Sequence, residues 1–333
     1  MKNAMMTVAE AAKRIEQGHA LMIAGDEAQL AKLPKGTWIG GTSVYFVTET
    51  GGREDHEMVF VTEFPEAKAA KTRFVTTEEL PSLADQAFDN GATMILIPAF
   101  SEAHQRFALD GAGYPDIFGQ PLMGWISGVA LADIGKVTPK TYDGTTGQMH
   151  EDGAVLMHVE MPAGHMADID ILNLFEQDND GPTILFGKDG FSATTAIVDG
   201  KEVNFAQWVQ ENGVNTQFPL VANYAGAMIN VSFQAVDADG GKVDFYAPVV
   251  EGVEYRLARN PGAYAEVFAA RATGNGAQEL SCNCILNYLY GELEGKTTGS
   301  FTGPATFGEI AYILLNQTMV RLRDVAVEQA NVA

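Results

Sequence analysis

At 333 residues, 46% hydrophobic and 19% charged, the chain has the make-up of a globular protein, long enough for about two domains of ~150 residues. Its formal charge of −22 argues against nucleic acid and anionic membrane surfaces, which are bound through clustered Lys and Arg. The two cysteines, one residue apart, make no disulfide framework, and no run approaches the ~18 apolar residues of a spanning helix. Residues 1–14 lack the apolar stretch of a signal peptide, so a reducing cytoplasm is the expected setting.

Thr7-Val8-Ala9-Glu10 reads as a capping box that opens a helix, with Gly18 as its stop. Residues 20–24 form a short apolar strand, and Gly25-Asp26 turn it into a brief helix that Pro34 and Gly36 end. Residues 37–47 are β-rich but interrupted by Gly40-Gly41-Thr42-Ser43. Glycines inside a strand mark a bulge or a close backbone approach, either to a packed helix or to a ligand. Residues 58–62 read as a strand, 83–88 as a helix closed by Asn90-Gly91, and 93–97 as an apolar strand, after which Ser101 caps a helix through Phe107. This alternation is the α/β pattern. No G-x-G-x-x-G or Walker sequence appears to suggest a nucleotide.

Residues 111–128, rich in Gly, Pro and aromatics, predict a long ordered loop. Residues 154–161 predict a strand carrying His158, with His165-Met166 just beyond. His158 and His165 are the candidate ligands for a soft metal or haem iron, although their spacing matches no metal signature. Asp178-Asn179-Asp180-Gly181 and Asp237-Ala238-Asp239-Gly240 resemble calcium-loop fragments but lack the later bidentate Glu, and read as turns. A hairpin is expected about Asp199-Gly200, a helix capped by Asn204, a second hairpin from 228–236 and 242–247, and a further strand at 253–257.

Ile310, Ile313, Leu314, Met319 and Leu322 recur at helical spacing and predict a final helix. Glu309 would then stand at its start, capping it or, if turned to a cavity, meeting a cationic group. Asn316 and Gln317 break the apolar run and need partners wherever they are buried. Cys282 and Cys284 would share one face of a strand, as small buried hydrophobes or as reactive or metal-binding thiols.

Gly303-Pro304-Ala305-Thr306-Phe307-Gly308-Glu309-Ile310, followed by Leu315-Asn316-Gln317-Thr318, resembles the signature that closes the FIST domain, a sensory module of prokaryotic signalling proteins. Ser281-Cys282 and Gly291-Glu292 echo its upstream elements, and Ile39-Gly40-Gly41-Thr42-Ser43 resembles the glycine turn of its N-terminal half. The resemblance implies an α/β fold of two halves, residues 1–175 and 176–333, each with mixed β-sheets flanked by helices. It further implies a small-molecule ligand between them, amino-acid-like or, as in some relatives, haem, with a signalling protein or a second copy of the chain as partner. The expected pocket walls are Thr42, Ser43 and Tyr45 from the glycine turn, with Cys282, Asn283, Cys284, Phe307, Gly308, Glu309 and Asn316 from the C-terminal segment. Two other readings stand beside this one. One is a hydrolase or transferase with Cys282 as nucleophile and Glu309 as acid/base; the other is a scaffold whose pocket Tyr288 or Phe307 fills.

Overall fold

The computed structural model describes residues 1–224, 226–272 and 278–327. Strand outweighs helix, 43% against 17%, and the mixed sheets with their attendant helices make the fold α/β, as expected. One local plan recurs. Leu21–Gly25 runs parallel to Trp38–Thr42 across the helix Glu27–Leu30, and Gly91–Pro98 parallel to Leu122–Ser127 across Glu102–Asp110. Leu280–Cys284 runs parallel to Gly303–Thr306 across Ile285–Tyr290. Parallel neighbours cannot be joined by a tight turn, so each pair needs its helical crossover. The first two leading strands are buried along their whole length, which is why they read as largely apolar runs rather than alternating ones. Asp26 and Ser101 start the first two crossover helices by accepting the backbone N–H of Ala28 and His104.

The three units belong to three different six-stranded sheets. These sheets share a core in which Met22, Phe46, Phe60, Met94, Trp125, Met157, Cys282 and Leu322 pack together. Strand pairing runs across residue 175. Gly303–Thr306 pairs with Tyr45–Thr48, Glu309–Ala311 with Leu122–Ser127, and Thr318–Ala326 with His165–Asn173. Between these returning strands, residues 184–257 build two further sheets around Phe186, Phe205, Phe233, Phe245 and Tyr255, with the helix Phe205–Glu211 set against them.

Several local expectations need correction. The final helix is instead three strands, Glu309–Ala311, Ile313–Leu315 and Thr318–Ala326. Tyr312 and Gln317 take positive φ angles of 64° and 49° at the two corners between them. Thr318–Ala326 lies between two neighbouring strands and is buried on both faces over residues 318–322, so its apolar residues Met319, Val320 and Leu322 do not alternate and imitate helical spacing. Glu309 therefore caps no helix. The loop expected at 111–128 contains the strand Leu122–Ser127, and the helix expected at 83–88 is displaced to a 3₁₀ turn at Thr77–Ser82, which includes Pro81. No helix among the described residues is long and apolar enough to cross a membrane.

Candidate functional site

In open α/β sheets the crevice outside the carboxyl ends of parallel strands is where ligands collect, because crossover loops diverge there. A cavity of about 350 Å³ lies at such a place. Ala99 to Gln105 follow Gly91–Pro98, Leu131 and Ile134 follow Leu122–Ser127, Cys284 to Leu289 follow Leu280–Cys284, and Phe307 follows Gly303–Thr306. Phe191, Phe245 and Tyr246 close it from the small three-stranded sheet, so the walls come from both sides of residue 175. At its edge Phe100, Ile134 and Leu289 are 50%, 45% and 40% exposed, an apolar rim left in water.

Two polar side chains in this wall have one nitrogen each without a partner. Asn316 is buried and its Oδ1 accepts the backbone N–H of Ser232 at 3.1 Å and the Ser232 hydroxyl at 2.5 Å. A backbone N–H can only donate, which fixes the amide orientation and leaves Nδ2 as the unpartnered atom. His104 is also buried, and its Nδ1 accepts the Phe100 N–H at 3.3 Å. The ring proton therefore sits on Nε2, which has no partner among the described residues. Burial brings the His104 pKa down to about 4, so the ring is neutral at neutral pH. The Phe100 backbone that supplies this N–H is itself unusual, an aromatic residue at φ 65°.

Behind Cys284 sits Glu309, fully buried. Its Oε2 accepts the Thr318 N–H at 3.2 Å and the Thr318 hydroxyl at 2.8 Å. Burial raises its pKa to about 8, against the lowering effect of Thr318 and of the Cys284 thiol that faces the same carboxyl. Near pH 7 it is a neutral acid. Burial and then the Glu309 carboxyl push the thiols of Cys282 and Cys284 well above their ordinary range. Cys282 also donates to the Gly124 carbonyl at 3.4 Å. A nucleophile or soft-metal ligand must be a thiolate, and this setting opposes one.

The expected wall residues thus separate. Cys284, Phe307 and Asn316 come together at the cavity. Glu309 and Cys282 lie in the core beside it. Asn283 accepts from Asn287 of the crossover helix at 2.8 Å, and the Gly308 carbonyl accepts the Ile126 N–H at 2.9 Å. The Tyr45 hydroxyl accepts the Leu131 N–H at 3.0 Å. Thr42 and Ser43 line a different cavity of about 360 Å³, together with Asp26, Glu27, His56 and Asp133. His104 and the aromatic walls other than Phe307, such as Phe191 and Phe245, were not foreseen. The signal was available: Ser101 capping a helix straight after a buried strand places His104 at the strand's carboxyl end.

Neither foreseen histidine reaches this site. His158 Nδ1 pairs with the Thr93 hydroxyl at 2.8 Å between strands, and His165 pairs with Asp324 at 2.8 Å. Among the described residues no group of three or more His, Cys, Asp or Glu is placed to hold a metal ion. Haem fits poorly as well, since a ligating imidazole nitrogen needs a free lone pair and His104 Nε2 carries the proton. Fold and site define an α/β protein with an apolar, donor-bearing cavity where parallel strands end. The chain belongs to the family of unknown function DUF6976, whose model matches residues 6–325. No curated protein matches it.

Proposed function

We propose that this chain is a small-molecule-binding protein of the sensory kind implied by the FIST-like segment, with its ligand in the cavity of Cys284, Phe307 and Asn316. The observation that carries the reading is the pair of buried, unpartnered nitrogens, Asn316 Nδ2 and His104 Nε2, in the wall of one apolar cavity. A buried donor without an acceptor costs about 1–3 kcal/mol, and a bound molecule that supplies the acceptor recovers it. The cavity volume falls within the usual range for small-molecule sites, ~300–1,000 Å³. Two free, buried thiols accord with a cytoplasmic setting.

Native mass spectrometry of freshly purified protein, read beside its absorption spectrum, tests this. The expected result is a chain mass plus a small organic mass that denaturation releases. A bare chain mass, with no thermal shift across a metabolite panel, would overturn it.

A further inference from the structure

We propose that the cavity selects an uncharged, largely apolar molecule bearing a carbonyl-type oxygen, held by the N–H groups of His104 and Asn316. The inference rests on the reading of this cavity as the ligand site and adds the ligand's chemistry to it.

Three observations carry it. First, the unpartnered polar atoms of His104 and Asn316 are both donors, so the complement is an acceptor. Second, among the described residues no Lys or Arg lines the cavity, and the one carboxylate they place in its wall, Asp244, is paired with Lys242 at 2.9 Å. An anion would lose its hydration there with no countercharge, and a cation would meet no free carboxylate. The deeper carboxyl, Glu309, lies behind the lining with Oε2 bound to Thr318 and Oε1 left without a partner among the described residues, and it is a neutral acid near pH 7. Third, apart from Gln105 and Gln234 the remaining wall is mainly aromatic and aliphatic, with Phe191, Phe245, Phe307 and Leu286 around the volume. Such a surface suits a ring or chain and rejects a highly hydrated solute.

His104 has the character this selection needs. As a neutral donor it offers a hydrogen bond without the positive charge that would favour a carboxylate.

The test uses four probes on one naphthalene ring: 2-acetylnaphthalene, 2-ethylnaphthalene, 2-naphthoate and 2-naphthylmethylamine, measured by equilibrium dialysis against the full chain. The ketone should bind about tenfold tighter than the ethyl compound, the scale of one or two hydrogen bonds. Both charged probes should bind more weakly than the ketone. Asn316→Asp keeps an acceptor for Ser232 and replaces the amide N–H, so with His104 still donating it should reduce the ketone's advantage over the ethyl compound. His104→Phe keeps a ring of similar size and carries the same expectation if the first variant fails to fold. Equal binding of ketone and ethyl compound, or preference for the naphthoate or the amine, overturns the inference but leaves the cavity as a binding site. Binding of none of the four overturns both.

Discussion

Two cavities of nearly the same size, about 350 and 360 Å³, open where parallel strands end in this protein. One follows Gly91–Pro98 and Leu280–Cys284; the other follows Leu21–Gly25 and Trp38–Thr42. In the second, Thr42, Ser43, Asp26, Glu27 and His56 already serve the fold. Thr42 Oγ1 accepts the Lys140 N–H at 3.0 Å, Ser43 Oγ donates to the Ala305 carbonyl at 2.9 Å, Glu27 meets Lys140 at 2.8 Å, and His56 bridges Asp26 and Glu54 at 2.8 and 3.0 Å. In the first, Asn316 and His104 keep a donor each in reserve. Volume alone does not distinguish a ligand site from a recess. Unspent hydrogen-bonding capacity does, because desolvated donors gain from a ligand what satisfied ones have already gained from the protein.

The largest expected effect separates the walls themselves. Phe245 faces the first cavity but is 1% exposed and packs against Phe186, Phe205 and Phe233 with ring centroids 5.8, 6.4 and 5.8 Å away. Phe245→Ala should cost about 3–5 kcal/mol in urea unfolding, the usual range for a buried aromatic. Val137, in the wall of the second cavity, is 39% exposed, and Val137→Ala should stay within about 0.5 kcal/mol. Similar losses at the two positions would show that both walls are core and remove the contrast.

Gly128 joins the two sites. It lines the second cavity, yet a Cβ on it would lie 2.2 Å from Cδ1 of Phe307, in the wall of the first. Gly128→Ala should therefore displace that ring, costing about 1–3 kcal/mol through overpacking and weakening binding of 2-acetylnaphthalene. An unchanged affinity would mean that Phe307 does not shape the ligand site.

What the sequence disclosed follows from how local each signal is. The capping box at Thr7, the caps at Ser101 and Asn204, the buried strands and the hairpin about Asp199-Gly200 depend on neighbouring residues, and the structure has them. Residues 309–326 misled because central strands lose the two-residue alternation, and the corners at Tyr312 and Gln317 use residues other than glycine at positive φ. The site was half legible. Asn316 stood out as an amide in an apolar run, and the Ser101 cap after a buried strand put His104 at that strand's carboxyl end, but the meeting of these distant segments in one cavity is something no spacing encodes. Thr42 and Ser43 stood out for their glycines, but Gly41 is there to pass close to Trp125 Nε1, 3.0 Å from where its Cβ would be.

A pH series sharpens the electrostatic side of the contrast. Glu309 has its pKa raised from 4.5 to about 8, so between those values the folded chain keeps a proton that the unfolded chain has lost. Its stabilising contribution is full below the unfolded value and falls as pH rises, by up to about 1.4 kcal/mol per unit, until pH passes about 8. His104 and His158, each lowered from 6.5 to about 4, act the other way: their contribution is present above 6.5 and is lost as pH falls through 4. Stability should thus crest near pH 6.5 and decline by about 2 kcal/mol toward pH 8. The difference between the wild type and Glu309→Gln isolates the carboxyl, since the variant should lose the decline above 6.5. Parallel curves for the two proteins would place an ionised Glu309 in the core.

A small effect is expected at Ser43, and its smallness is what makes it informative. Ser43→Ala removes one buried hydrogen bond, from Oγ to the Ala305 carbonyl, that ties the glycine turn to Gly303–Thr306. The cost should be about 1 kcal/mol, because the strand pairing between Tyr45–Thr48 and Gly303–Thr306 remains. Affinity for 2-acetylnaphthalene should not move, since Ser43 lines only the other cavity of the two and its hydroxyl is committed to the protein. Thermal unfolding and dialysis on the same preparation read both quantities. If Ser43→Ala loses as much ketone affinity as Asn316→Asp, the committed and uncommitted polar groups contribute alike to binding, and the distinction between the cavities fails.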